Sequence, residues 1–429
     1  MKKINVITLG CAKNRVDSEH LSARFAAAGY EVVFDSDRTD AEVVVINTCG
    51  FIGDAKQESI DTILDAVAAK NAGLLERLFV IGCLSERYAD ELRVEIPEVD
   101  GFFGARDMND IAAALEADGS AAAPTDRLLS TPKHYAYLKI SEGCDRECGY
   151  CAIPLIRGRH VSVPMETLVE EAEKLAGQGV RELLVIAQDT TCYGVDLYGR
   201  RRLADLLTAL CRVKGIEWIR LHYAFPTGFP QDVIEVMARE PKICKYLDIP
   251  FQHIADSQLS SMKRHHTKAE AYALVERLRS RIPNIALRTT LMVGYPNESE
   301  SDFEELKQFV RDVRFERLGV FAYCEEEGTY SARHLRDNVP AEVKERRAAE
   351  LLRLQSGISA QINASRVGSR ERVIIDSRQG GYYVGRTQYD SPEVDQEILI
   401  PAEGGRLRRG CFYEVTVTGS EEYDLYGRV

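Results

Sequence analysis

Between Ile4 and Tyr323, short apolar β-rich runs alternate with stretches of helical periodicity, a rhythm that restricts this part of the chain to parallel sheets covered by helices. The first such runs are Ile4 to Leu9, Val43 to Ile46 and Leu78 to Ile81, with helical patterns at Ser18 to Ala28 and Lys56 to Ala69 between them. They predict an open parallel α/β domain over residues 1–126. Ala121 to Pro124 and the polar stretch up to Thr131 read as a linker.

Beyond the linker the rhythm resumes, with strand candidates at Tyr135 to Ile140, Leu183 to Ala187, Trp218 to Leu221, Tyr246 to Ile249, Ala286 to Val293 and Gly319 to Tyr323. Helical patterns separate them, so six parallel strands are expected to curl into a partial (β/α)6 barrel related to the TIM barrel, closed by a charged helix from about Ala341 to Arg366. This second domain spans 127–366. From Val367 the pattern changes to short strands split by Gly and Pro turns (RVIIDS, GYYVGRT, EILIPA, FYEVTVTG), which predicts a small antiparallel barrel of OB-like character over 367–429. Three domains suit 429 residues, more than one core usually organises.

The formal charge of −12 argues against a broad basic surface for gripping nucleic acid or anionic lipid. No apolar run approaches the roughly 18 residues of a membrane helix, and the start of the chain lacks the apolar stretch of a signal peptide, so a cytoplasmic protein is expected. In a reducing compartment the eleven cysteines call for metal binding, catalysis or burial rather than disulfides.

Six of them fall into two patterns. Cys144, Cys148 and Cys151 follow the first barrel strand, at the face where such barrels keep their chemistry. Three thiolates satisfy three corners of a four-iron cube and leave one iron open, whereas zinc would want a fourth ligand, and His134 and His160 lie outside the tight loop. Cys11, Cys49 and Cys83 instead end three successive strand patterns, VITLGC, VVINTC and LFVIGC. Ligands of open α/β sheets sit beyond the carboxyl ends of the strands, so these three can converge without adjacency in sequence. Cys192, Cys211, Cys244, Cys324 and Cys411 show no ligand spacing and read as core or incidental thiols. His253 and the pair His265 and His266 likewise read as surface or hydrogen-bonding residues rather than ligands.

The C-x3-C-x2-C loop resembles that of the radical S-adenosylmethionine superfamily. The resemblance implies a [4Fe-4S] cluster on Cys144, Cys148 and Cys151, S-adenosylmethionine on its open iron, and Tyr150 beside the adenine. Gln188 and Arg288, on barrel strands, are further candidates for the ribose or carboxylate of that cofactor. Taken with GCAKNRVDSE, NTCGFIGDAKQES and GCLSERY, the whole chain resembles the methylthiotransferases, which combine an N-terminal three-cysteine domain, a radical barrel and a C-terminal TRAM domain. That implies a second [4Fe-4S] cluster on Cys11, Cys49 and Cys83, whose open iron carries the transferred sulfur. It also implies two molecules of S-adenosylmethionine, one as methyl donor and one as radical source.

GCAKNRVDSE, HYAYLKISEGCDRECGYCAIPLIRGRH, TQYDSPEVDQ and EEYDLYGR resemble the RimO branch, which modifies the β-carbon of an aspartate in small-subunit ribosomal protein twelve. Nine basic against eleven acidic residues from Arg366 onward suit a basic protein partner better than a polyanion. The expected partners are that ribosomal protein, free or in the ribosome, and an electron donor of the reductase or flavodoxin type, with the enzyme itself a monomer. The alternatives are a transfer-RNA adenosine methylthiotransferase and a non-enzymatic iron-sulfur carrier or RNA-binding scaffold. One departure from the family pattern is Val163, where a basic residue is common.

Overall fold

The computed structural model describes residues 2–38, 40–115 and 122–429. The first domain is a five-stranded parallel sheet of β1 (Lys3–Thr8), β2 (Glu31–Phe34), β3 (Val43–Thr48), β4 (Arg77–Gly82) and β5 (Gly101–Phe102), in the order β2-β1-β3-β4-β5. Its helices are α1 (Ala12–Ala27), α2 (Gly53–Asn71), α3 (Cys83–Glu95) and α4 (Met108–Ala114). The run of valines in β3 is apolar throughout because both faces are covered. Val43 and Val45 join the cluster with Leu21, Phe25 and Ile111, while Val44 and Ile46 join the one with Ile63, Leu84 and Leu92. The edge strands β2 and β5 and the helices α3 and α4 were not legible as elements, since four- and two-residue strands at a sheet edge carry almost no periodicity.

The second domain is a six-stranded parallel sheet of β6 (Tyr135–Lys139), β7 (Glu182–Ile186), β8 (Trp218–Leu221), β9 (Ile243–Asp248), β10 (Ala286–Val293) and β11 (Arg317–Ala322), laid out in unbroken chain order. Helices follow each of the first five strands, and Ala341–Arg366 packs at the end as expected. Thr267 and Ser299 cap two of these helices through reciprocal bonds with Glu270 and Asp302, which fixes where those helices start. The helix-facing side of the sheet is a continuous apolar core, with Leu138, Leu183, Ile219, Leu247 and Leu287 under Leu168, Leu206, Met237 and Phe309. Val163 packs onto the edge of this core, and its backbone accepts from Tyr193 Oη at 2.9 Å.

The concave side differs in chemistry: Tyr135, Glu182, Arg220, His222, Tyr246 and Arg288 contact the C-terminal domain. That domain is a closed barrel of β12 (Arg370–Gln379), β13 (Tyr382–Thr387), β14 (Ile398–Pro401), β15 (Phe412–Ser420) and β16 (Leu425–Arg428), ordered β12-β13-β14-β16-β15. The short β16 adds a fifth strand to the four expected, and its pairing with β14 is parallel, so the barrel is not wholly antiparallel. The loop between β13 and β14 wedges into the floor of the larger barrel. There Asp390 binds Arg317, Ser391 meets His222 at 3.0 Å, and Asp395 accepts from Tyr246 Oη at 2.8 Å.

The expected linker is no passive tether. Its start at Ala121 lies outside the described residues, but from Thr125 to Thr131 it packs against the protein, with Thr125, Arg127 and Thr131 buried and the residues between them half-buried. The Arg127 guanidinium, enclosed by protein, binds Glu19 of α1 and, at 2.9 Å, Glu171 of helix Met165–Gly177, joining the two domains. Arg127→Ala would leave two carboxylates buried without their cation, a loss on the order of 3–5 kcal/mol. Thermal unfolding should show a clear fall in the first transition, with most of it recovered when Glu19 and Glu171 are also changed to Gln. An unchanged transition in Arg127→Ala would show that this joint carries no stability.

Candidate active site

The loop bearing Cys144, Cys148 and Cys151 leaves the carboxyl end of β6 and is pinched at its base by a two-residue hairpin pairing, Ser141–Glu142 with Val161–Ser162. Inside it, Cys144 N–H donates to Gly158 O at 3.0 Å, Cys151 N–H to Cys148 O at 3.0 Å, and Gly149 N–H to Met262 O at 2.9 Å. These bonds wrap the three thiols around one turn against the barrel rim. They line a cavity of about 550 Å³ together with Arg146, Lys263 and Tyr330. A larger groove of about 730 Å³ on the C-terminal barrel, lined by Arg378, Arg406 and Arg409, holds no cysteine and lies apart from this chemistry.

Burial, reinforced by neighbouring thiolate charge, pushes the Cys144 and Cys151 thiols up to about 12. Such groups ionise together only around a cationic centre, which is what an iron cluster provides. Among the described residues, no three Cys, His, Asp or Glu side chains close on one point as a single metal ion requires. Thiolates on separate irons of a cube need no such convergence, so the loop fits a four-iron cluster better than zinc.

The second set of cysteines occupies the ends of the three central strands of the first sheet. Cys11 caps α1 just after β1, Cys49 follows β3, and Cys83 opens α3 directly after β4. Two glycines allow the approach. A Cβ on Gly10, which has φ +87°, would lie 2.8 Å from Cys49 Cβ, and one on Gly50 would lie 2.6 Å from the Cys83 carbonyl oxygen. Burial raises the Cys49 thiol and pushes that of Cys83 up to about 11, with Cys11 adding to both. This triad therefore fits a second cluster on the same grounds.

Between the two sets runs a buried polar network. Arg157 lies in the helical turn Ile153–Arg157 just after the Cys144–Cys151 loop, yet its Nε donates to Cys83 Sγ at 3.3 Å. Its Nη1 donates to Asp17 Oδ2 at 2.8 Å and Glu142 Oε2 at 3.3 Å, and its Nη2 donates to Asn14 Oδ1. Lys139 binds the same two carboxylates, Asp17 and, at 2.6 Å, Glu142. Burial would raise the Glu142 carboxyl, but Lys139 and Arg157 hold it down to about 2.

Of the other sequence candidates, Tyr150 is half-buried and packs against Met262, Tyr295 and Tyr323 beside the loop. Gln188 donates to Glu142 Oε1 at 2.7 Å and keeps its own buried Oε1 without a partner among the described residues, open to a donor from a ligand. Arg288 is placed differently from expectation. It pairs with Asp248 at 3.2 Å and with Asp395 of the C-terminal wedge at 3.3 Å, so it fastens the barrel floor and does not meet the cysteine loop.

Cys192 sits nearby but is engaged by Arg146 at 3.3 Å and Asp189 at 3.2 Å, while Cys244 is core and Cys324 exposed. His253 is buried and hydrogen-bonded to Glu298 at 3.1 Å. Sequence reasoning missed Arg264, whose Nη1 stands 3.4 Å from both Cys148 Sγ and Tyr150 Oη, and it assigned no role to Arg157. For Asn14 and Asp17 a signal existed: both are polar residues on the buried side of a helix.

Three family models match the chain: Uncharacterized protein family UPF0004 over residues 3–104, the Radical SAM superfamily over 138–310 and the TRAM domain over 367–429. Among curated proteins, the ribosomal protein uS12 methylthiotransferase RimO of Bacteroides fragilis is 54% identical over 100% of this chain and 99% of its own length. That of Porphyromonas gingivalis is 55% identical with the same coverage. The chain belongs to the RimO family. Solved structures carry the fold further. The radical S-adenosylmethionine methyltransferase TsrM from Kitasatospora setae superposes with TM-score 0.57 at 13% identity, covering 90% of this chain and 81% of that one. The cobalamin-dependent radical enzyme OxsB gives 0.53 at 11% identity, covering 83% and 56%.

In this RimO-family chain Arg157 is the sole side chain of the barrel domain, among the described residues, that bonds a thiol of the N-terminal triad. Losing such an outer partner typically costs about 10- to 100-fold in metal affinity. Arg157→Leu should therefore shed iron from the Cys11, Cys49 and Cys83 site under chelator challenge, as read by iron analysis and EPR, while the loop cluster persists. Loss from both sites equally, or from neither, would contradict that placement.

Proposed function

We propose that the chain is a methylthiotransferase that places a methylthio group on the β-carbon of an aspartate in ribosomal protein uS12. It would use two [4Fe-4S] clusters and S-adenosylmethionine. The observation that carries this reading is that the segment just after the Cys144–Cys151 loop packs on the N-terminal triad, with Ala152 and Ile156 against Cys83 and Arg157 bonded to Cys83, Asp17 and Glu142. A single radical cluster would need only the first triad. Bound at these sites, the clusters and S-adenosylmethionine supply the radical that removes hydrogen from the substrate carbon and the methylthio group that replaces it.

The residues of the chain aim and shield that chemistry. Cys144, Cys148 and Cys151 hold the radical cluster, with Tyr150 and Arg264 enclosing its flank and Gln188 offering an acceptor to the cofactor. Cys11, Cys49 and Cys83 hold the cluster that carries sulfur. Lys139 and Arg157 share the carboxylates of Asp17 and Glu142, so the charges at this joint are balanced.

The names of the RimO relatives point to uS12 as substrate, and a C-terminal barrel of slightly negative charge suits that basic protein better than transfer RNA. Its wedge, locked into the larger barrel through Asp390 and Asp395, supports a fixed floor rather than a swinging RNA-binding arm. Acting on a ribosomal protein, the enzyme would work in the cytoplasm, and no helix among the described residues is long and apolar enough to cross a membrane. Electrons would come from a reductase or flavodoxin-type donor, acting on a monomer.

The two triads have separable duties, which gives the test. Cys144→Ala should abolish formation of 5′-deoxyadenosine from S-adenosylmethionine in the reduced protein. Cys11→Ala should keep that cleavage and lose methylthiolation. Equal loss of cleavage in both folded variants, with the other cluster intact in each, would contradict this division of labour.

A further inference from the structure

A buried cation without an anion is costly, and this chain almost always pairs them. Among the described residues, the buried Arg127, Arg157, Arg220, Arg317, Arg347 and Arg386 all have carboxylate partners, as do the buried Lys307 and Lys344. Two buried cations do not. Arg264 is the first, and it stands against Cys148 and Tyr150. The second is Lys13, 9% exposed, just past Cys11 at the start of α1.

Lys13 leans on an aromatic face: its Nζ lies 3.1 Å from the centroid of Tyr223. Tyr223 follows the carboxyl end of β8 and holds a left-handed backbone, φ +55°, which a non-glycine residue adopts only where its surroundings force it. Here its N–H donates to Asp248 Oδ2 at 3.3 Å and its carbonyl accepts from Thr190 N–H at 3.1 Å. A ring face stabilises an ammonium by only about 0.5–2 kcal/mol and leaves donors free for a better partner. The cation thus waits at the seam between the first sheet and the barrel, beside a cysteine of the sulfur-carrying triad.

We infer that Lys13 binds the side-chain carboxylate of the substrate aspartate and sets the preference for that residue. The inference rests on the methylthiotransferase reading above. Holding the carboxylate fixes the β-carbon one bond away, next to the Cys11 loop, so one contact gives both recognition and aim. The competing partner is the negative charge of the N-terminal cluster itself.

The test is equilibrium binding of full-length uS12, and of its variant with Asn at the modified position, to holoenzyme carrying both clusters without S-adenosylmethionine. A charge-assisted contact predicts that the wild type prefers the Asp form about tenfold or more. Lys13→Met, close in shape, should bring that ratio near one while iron content and the EPR signal of the N-terminal cluster stay as in the wild type. Lys13→Arg should restore part of the preference. A ratio that survives in Lys13→Met overturns the assignment, and so does selective loss of the N-terminal cluster in that variant, which would give the lysine to the cluster. Failure of the wild type to bind or modify uS12 at all would instead overturn the substrate reading beneath it.

Discussion

Everything in the site depends on one buried arrangement of charge, in which Asp17 of the first domain and Glu142 of the barrel share Arg157 and Lys139. Either carboxylate alone would be an unpaired charge at a domain joint, and either cation alone would be as costly. Together they join the two sheets at the segments that follow β1, β4 and β6. Because Arg157 also reaches Cys83, the same group that fixes the domains fixes a proposed cluster ligand. Packing and chemistry are therefore joined at a single guanidinium.

The far side of the barrel solves a related problem. A six-stranded sheet that does not close leaves its concave face open, and here that face carries Glu182, Arg220, Tyr246 and Arg288. The C-terminal wedge supplies what they lack. Glu182 lies between Arg220 and Arg386, Arg317 meets Asp390, and Arg288 meets Asp395. Glu393 reaches furthest, accepting from Tyr135 Oη at 2.9 Å and standing 3.8 Å from Arg15 of α1. One loop thus touches both other domains. With the floor filled by paired groups, the cysteine-lined end is left as the place for substrate and cofactor.

Much of this was legible in the sequence because strands buried on both faces, such as β3, read as continuous apolar runs, while β10 alternates and the helices between strands keep a 3.6-residue pattern. The six cysteines were legible for a different reason: Cys11, Cys49 and Cys83 end strand patterns, and Cys144, Cys148 and Cys151 share one short loop with a telling spacing. What was hidden has a common cause. Arg157 and Lys13 act across a domain boundary and Arg264 reaches back over a long stretch of the barrel, and no spacing in one chain segment announces a partner in another. Arg288 misled for the mirror reason, since a strand position alone does not say whether the side chain looks toward the cofactor or toward the C-terminal wedge. Likewise the stretch around Arg127 has the composition of a linker, and only the partners Glu19 and Glu171 reveal it as a joint.

The central claim is that two iron-sulfur sites cooperate to modify an aspartate of ribosomal protein uS12. It is tested most directly by peptide mass spectrometry of that protein from cells with and without this gene. A methylthio group on one aspartate, present with the gene and absent without it, is the predicted result. An unmodified aspartate in both, with methylthioadenosine vanishing from transfer RNA when the gene is removed, would contradict the substrate while leaving the radical chemistry intact.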